Sequence, residues 1–183
     1  TGSVSVGLAP TTAAVLGLPL MQAMRERYPD VRLHMVESMS GHLSSMLNAR
    51  QLDLAVLFDL PTGASLSVQT ARRWSVLPLI EEEVFFIMAR AASKPGLPDT
   101  LRMAQLKDRP LILPTGPHGL RSTLDAAFLR AKLTPTVALE VDSLALLMDA
   151  VHAGVGATLQ PWAAVARQID AELSLCMARI SDH

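Results

Sequence analysis

The sequence has one cysteine, seven aromatic residues and no excess of charge, and each shortage removes a class of function. Cys176 alone can close no internal disulfide and cannot build a cysteine-based metal site, and a single thiol suits a reducing compartment. Seven aromatics are too few for the stacking platform that grips single-stranded nucleic acid. The 16 basic residues barely balance 17 acidic ones, and the densest basic group is the pair Arg72-Arg73. No basic face results, so this stretch is not expected to neutralise a run of phosphates or to bind DNA by itself. No apolar run approaches the ~18 residues that cross a bilayer, and Thr1-Gly2-Ser3-Val4 does not open a secretory leader. No membrane partner is expected. There is no starting Met and no closing element after Ile180, which leads us to expect a piece of a longer protein.

Catalytic signatures are also missing. The five histidines, His34, His42, His118, His152 and His183, show neither H-x-x-x-H nor H-E-x-x-H spacing, so a metal site has no support. There is no G-x-S-x-G elbow, phosphate-binding loop or G-x-G-x-x-G, and Gly154-Val155-Gly156 precedes a strand where a dinucleotide fingerprint would open a helix. Glu81-Glu82-Glu83 reads as a solvated charge run, and Cys176 has no activating neighbour. We expect no catalytic residues, no cofactor and no enzyme activity.

What is present is an alternation of strand-like and helix-like segments, the mark of a mainly parallel sheet with helices on its faces. Ser3–Leu8 alternates small polar and apolar residues. A helix bearing Leu16, Leu20 and Met24 on one face follows, capped by Thr11 or Thr12, with Pro19 marking its true first turn. Val31–Glu37 alternates again, Ser40 is placed to cap a short helix, and 52–58 is a nearly continuous apolar run suited to a buried parallel strand. Extended segments are expected at 66–72, 76–80 and 83–89, and a helical stretch at 101–106. A second βαβ pattern runs through strand 111–113, the loop 114–119, helix 120–132, strand 136–141, helix 144–153 and strand 157–160. A helix at 163–169 and an extended piece at 173–180 close the chain. The expected architecture is α/β, two Rossmann-like lobes around a central cleft: residues 1–77 as the first part of lobe one, 78–160 as lobe two, and 161–183 returning towards lobe one.

Ligands of parallel α/β sheets bind beyond the carboxyl ends of strands, where helices begin. Four such turns stand out: Pro10-Thr11-Thr12, Ser38-Met39-Ser40-Gly41, the loop of Pro114, Thr115, Gly116, Pro117, His118 and Gly119, and Asp142-Ser143. Each offers hydroxyls and free backbone N–H groups at the positive end of a helix dipole, which favours an anion. Serines and threonines at such places are more commonly simple N-caps. Arg121 has the reach to fork an anion, although an arginine there is more commonly a solvated surface residue. His118 is the one histidine in these turns, against the commoner case of a loop histidine facing water.

Several fragments, in order and over essentially all 183 residues, resemble the effector-binding domain of LysR-type transcriptional regulators. Gly2-Ser3-Val4-Ser5-Val6-Gly7 with the Pro-Thr-Thr turn is similar to that domain's first strand and ligand loop. Tyr28-Pro29-Asp30-Val31-Arg32-Leu33 and Leu52-Asp53-Leu54-Ala55-Val56 match its second and third strand signatures. Pro78-Leu79 with Glu82-Glu83, Pro110-Leu111-Ile112-Leu113, and Ala153-Gly154-Val155-Gly156 through Leu159-Gln160-Pro161 complete the set. Ala9-Pro10-Thr11-Thr12-Ala13 and Arg179-Ile180-Ser181-Asp182 resemble the nitrogen-assimilation-control branch. The resemblance implies a periplasmic-binding-protein-like (type 2) fold, a small-molecule inducer in the cleft, and a homodimer or homotetramer that contacts DNA only through a separate helix-turn-helix domain. Carried over, the ligand loops fall on Thr11, Thr12, Ser40, the Pro114–Gly119 loop and Asp142-Ser143. With the turns and reach read above, the candidate ligand residues are Pro10, Thr11, Thr12, Met39, Ser40, Thr115, Gly116, Pro117, His118, Gly119, Arg121, Asp142 and Ser143, and the inducer is expected to be a small carboxylate or another anion. Two other readings share the architecture: a transporter's solute-binding protein, which needs a leader or lipoprotein cysteine upstream, and a two-lobed enzyme such as a dehydratase, which needs a polar catalytic cluster.

Overall fold

The computed structural model describes residues 2–58, 74–94, 96–116, 118–166 and 174–182. Within it the chain forms two compact units: Thr1–Glu81 with Pro117–Leu120, and Glu82–Gly116 with Arg121–His183. The extended segment expected at 66–72, the ligand-loop residue Pro117 and the stretch 167–173 lie outside the described residues.

In the first unit, strands β1 (Gly2–Leu8), β2 (Val31–Glu37) and β3 (Leu54–Val56) form a parallel sheet in the order β2-β1-β3. The register runs from Gly2 against Val31 to Leu8 against Glu37, and from Val6 against Leu54 to Leu8 against Val56. Alternation decides which helix each residue meets. Val4, Val6 and Leu8 of β1, with Leu33 and Met35 of β2, pack on helix α1 (Pro10–Arg27) through Ala13 and Leu20. The opposite face, with Val36 and Ala55, takes Leu43, Met46 and Leu47 of helix α2 (Ser40–Asn48). The buried line of α1 includes Ala13 and Gly17, whose small size lets the helix lie close on the sheet, while Leu16, expected inward, is 43% exposed.

Two expectations about α1 fail for a local reason. Its N-cap is Ala9, with no side-chain cap, and Pro10 occupies the first helical position. A proline is preorganised there, since its missing N–H would have had no helical partner. Thr11 and Thr12 therefore sit within the first turn and cap nothing, and Pro19 lies inside an unbroken helix. The bond Pro19 cannot make leaves the Val15 carbonyl without its helical donor, on an exposed stretch where water can serve. Ser40 is likewise the first residue of α2, with Met39 as the cap and no side-chain bond. The run expected as a strand at 76–80 joins no ladder.

The second unit centres on β4 (Val84–Ala89), flanked in a mixed sheet by β8 (Thr158–Pro161) and β9 (Leu175–Ile180), both antiparallel to it, with β5 (Thr100–Leu101) parallel to β9. β6 (Leu111–Leu113) and β7 (Val137–Glu140) form a second, parallel ladder. The two ladders meet where Ile112 N–H donates to the Ala157 carbonyl at 2.7 Å and Ala157 N–H to the Pro110 carbonyl at 3.0 Å. Gly156 is required at this join, because a Cβ there would lie 2.9 Å from the Pro110 carbonyl oxygen. Helices α3 (Gly119–Arg130) and α4 (Leu144–His152) follow β6 and β7. Leu147, Met148 and Val151 of α4 are buried against Ile87, Ile112 and Leu175. Each such side chain contributes roughly 1.5–3 kcal/mol of burial.

The first unit runs to Glu81 and the second begins at Glu82. Within the second unit β9 pairs Phe85 with Arg179 and Ala89 with Leu175. The helical stretch expected at 101–106 is the short 3-10 turn Met103–Leu106; of the one expected at 163–169, the described part lies in the 3-10 turn Trp162–Val165, and 167–169 lie outside the described residues.

Candidate functional site

The carboxyl end of the first unit's sheet carries the starts of α1 and α2. The chain leaves β1 at Leu8, and Ala9 N–H donates to the Val56 carbonyl at 3.0 Å, which fixes where α1 begins. Thr11 is then only 4% exposed, and its Oγ1 is buried without a hydrogen-bond partner among the described residues. A buried hydroxyl left unpaired costs about 1–3 kcal/mol, so this is an unusual place for the chain to spend a threonine. The adjacent first-turn amides of Thr11 and Thr12 have no preceding helical turn to bond.

The start of α2 is organised around two histidines. Ser38 N–H donates to the Leu8 carbonyl at 3.2 Å, and Ser40 is buried. Gly41 N–H donates to Nδ1 of His118 at 3.2 Å, although 77 residues separate them. Because Nδ1 accepts, the neutral ring carries its proton on Nε2. His118 is 3% exposed, so it is not the water-facing loop histidine that sequence statistics favour. His42 stands edge-on to it, with centroids 5.1 Å apart at 85°, and Ser38 Oγ lies 3.4 Å from His42 Nδ1. The next residue, Gly119, would place a Cβ 2.4 Å from the Phe58 carbonyl oxygen, so only glycine admits this approach. His42 was not among the expected site residues, and Gly41 entered only as the end of the Ser38–Gly41 turn. Their position in the first turn after Met39 and Ser40 was the available signal.

In the second unit the corresponding turns are internally bonded. Asp142 accepts from both the amide and the hydroxyl of Thr115, at 2.8 and 2.7 Å. Ser143 caps α4, its Oγ accepting from Leu146 N–H at 3.3 Å. Ser122 Oγ donates to the Gly116 carbonyl at 3.0 Å. The Arg121 side chain, 14% exposed, donates from Nη1 to the Pro114 carbonyl at 2.9 Å and to Glu140 at 2.8 Å, and from Nε to Asp125 at 2.9 Å. Burial pulls its pKa down, but the hydrogen bonds and charges of Asp125 and Glu140 outweigh this and raise it above the ordinary arginine value.

The expected site residues thus fall into two groups. Pro10, Thr11, Thr12, Met39, Ser40, His118 and Gly119 belong to the first unit, and Thr115, Gly116, Arg121, Asp142 and Ser143 to the second. Among the described residues no group of three or more His, Cys, Asp or Glu is placed to hold a metal ion, and no helix is long and apolar enough to cross a membrane.

Comparison with known proteins gives a consistent answer. The family model described as the LysR substrate binding domain matches residues 1–182. The nitrogen assimilation regulatory protein nac of Klebsiella aerogenes is 33% identical over 181 residues, covering 98% of this chain and 55% of its own length. Its counterpart in Escherichia coli K12 is 31% identical with the same coverage. This chain therefore spans about half the length of the curated relatives it matches. Among solved structures, the effector-binding domain of QuiR in complex with shikimate aligns with a TM-score of 0.80 at 16% identity, over 100% of this chain and 82% of that one. The Synechocystis PCC6803 CcmR regulatory domain in complex with 2-PG gives a TM-score of 0.81 at 16% identity, over 99% and 82%. These likenesses carry the fold, a type 2 periplasmic-binding-protein-like α/β architecture, and the matched relatives are transcription regulators. Over its whole described length, the chain belongs to the LysR substrate-binding domain family.

Proposed function

We propose that this chain is the effector-sensing part of a LysR-type transcription regulator, and that it holds a small anion, most simply a carboxylate, at the starts of α1 and α2. One observation carries this reading: among the described residues the Thr11 hydroxyl is buried without a partner, beside the first-turn amides of α1. A carboxylate oxygen would accept from that hydroxyl and from those amides together, with the helix dipole adding to the attraction. Ser40 and the first turn of α2 lie at the end of the neighbouring strand and supply further donors. Shikimate, held by the QuiR domain, is a small polyhydroxy carboxylate and so has the chemistry this reading calls for.

On this reading the domain performs no reaction of its own. It acts in the cytoplasm, assembles with copies of itself, and influences DNA through another part of the regulator. The family match and the regulator relatives favour this over a transporter's solute-binding protein. The test is thermal melting of the purified protein against a panel of metabolite carboxylates, shikimate included. A true effector at a hundred times its Kd should raise the midpoint by about 5–10 °C, and Thr11→Val should abolish that rise. If no carboxylate moves the midpoint, and Thr11→Val with Ser40→Ala leaves regulation by the full-length protein unchanged, the reading is wrong.

A further inference from the structure

Arg121 is the side chain that sequence reasoning assigns to the anion, yet its surroundings give it different work. Its guanidinium reaches three separate places at once. Pro114, which accepts from Nη1 at 2.9 Å, immediately follows β6. Glu140, bonded to the same nitrogen at 2.8 Å, is the last residue of β7. Asp125, bonded to Nε at 2.9 Å, lies one turn further along α3. With two carboxylates on one guanidinium, the positive charge is answered within the unit.

The neighbouring residues of the turn are held in the same manner. Thr115 is fixed by two bonds to Asp142, and the Gly116 carbonyl by Ser122 Oγ. Three consecutive residues, Pro114, Thr115 and Gly116, are thus each tied down by a side chain from elsewhere in the second unit. We propose that Arg121 is a positioning residue: it presets the Pro114–Gly116 turn, and does not itself ligate the effector. The inference goes beyond the effector-sensing reading, which places the anion at the starts of α1 and α2, and concerns a turn that sequence reasoning counted as a ligand loop. Its physical content is independent of any effector.

Fork geometry is what makes the proposal testable. A planar guanidinium can serve a carbonyl and two carboxylates simultaneously, whereas a lysine ammonium is a point charge on a flexible stem. Lysine can keep an ion pair but not the three-way tie. The experiment is amide hydrogen exchange on the whole chain without effector, with thermal melting alongside, for wild type, Arg121→Gln, Arg121→Lys and Asp142→Asn. Asp142→Asn weakens the bond to the Thr115 amide directly and so calibrates how much protection that bond gives.

In Arg121→Gln the Thr115 amide, which donates to Asp142, is expected to exchange at least tenfold faster. In Arg121→Lys the melting midpoint is expected to return to near the wild-type value while the turn remains fast. That split separates positioning from a general contribution to folding, which would move the midpoint and the turn together. Recovery of both by lysine would reduce the role to charge alone and overturn the proposal, as would unchanged exchange at the Thr115 amide in Arg121→Gln. Should Arg121→Gln fail to fold, the lysine variant against Asp142→Asn decides the question unaided. The effector reading is tested by the carboxylate panel, so failure of one experiment does not carry over to the other.

Discussion

Both units begin helices just beyond strand ends with residues bearing hydroxyls, but they leave those hydroxyls in opposite conditions. In the first unit Thr11 is buried and unpaired beside first-turn amides. In the second, Thr115 is bonded twice by Asp142 and Ser143 caps the amide of Leu146. A fully bonded turn is a finished piece of scaffold, whereas a buried group without a partner is sustained by the rest of the fold and is a natural place for a ligand to complete. Residue type alone therefore does not distinguish the two kinds of turn here, and bonding state does.

The contrast can be broken most forcefully at Gly119. Replacing it with alanine drives a Cβ into the Phe58 carbonyl, a backbone atom that cannot step aside cheaply. The expected loss is about 2–3 kcal/mol of stability, read as a lower urea midpoint, accompanied by faster exchange at the Gly41 amide as His118 is displaced. Ser143→Ala opens the closed turn instead. Loss of the cap should cost ~1 kcal/mol, and the Leu146 amide should exchange faster. Thr11→Val has the smallest effect and the opposite sign. It removes an unpaired hydroxyl at constant shape, so the protein without effector should be as stable as wild type or more so by up to about 1 kcal/mol. A clear loss of stability in that variant would mean that the hydroxyl has a partner, and the contrast between the turns would close.

Local patterning foretold most elements and few of their relationships. The apolar triplet 111–113 and the alternation at 31–37 correspond directly to β6 and β2. The start of α1 was readable from Pro10 itself, because proline favours the first helical position, yet the threonines beside it drew the cap assignment. What periodicity cannot disclose is a partner distant in the chain. The burial of His118 depends on an amide 77 residues away, and Arg121 needs Glu140 from the next strand as well as Asp125 one helical turn along. β9 was recognisable as extended, but nothing in Leu175–Ile180 says that it pairs with β4 and not with the first sheet. The candidate site was accordingly legible as a set of turns. The distinction between open and closed turns came from side-chain bonds.

The placement of β9 has a consequence for how the protein is made. The first unit's three described strands are all synthesised by Val56, so that ladder can form while the remainder of the chain is still emerging. In the second unit β9 lies between β5 and β4, although it is the last of the described strands to be translated. At ~5–20 residues per second, the stretch from Ala89 to Leu175 takes roughly 5–15 s to make. Over that interval β4 lacks both of its described neighbours until β8 is made, and lacks β9 until the end, while β5 lacks β9, leaving unpaired edges of the kind that recruit other chains. The order of translation thus gives the second unit a period of exposure to aggregation that ends when Leu175–Ile180 slots into place.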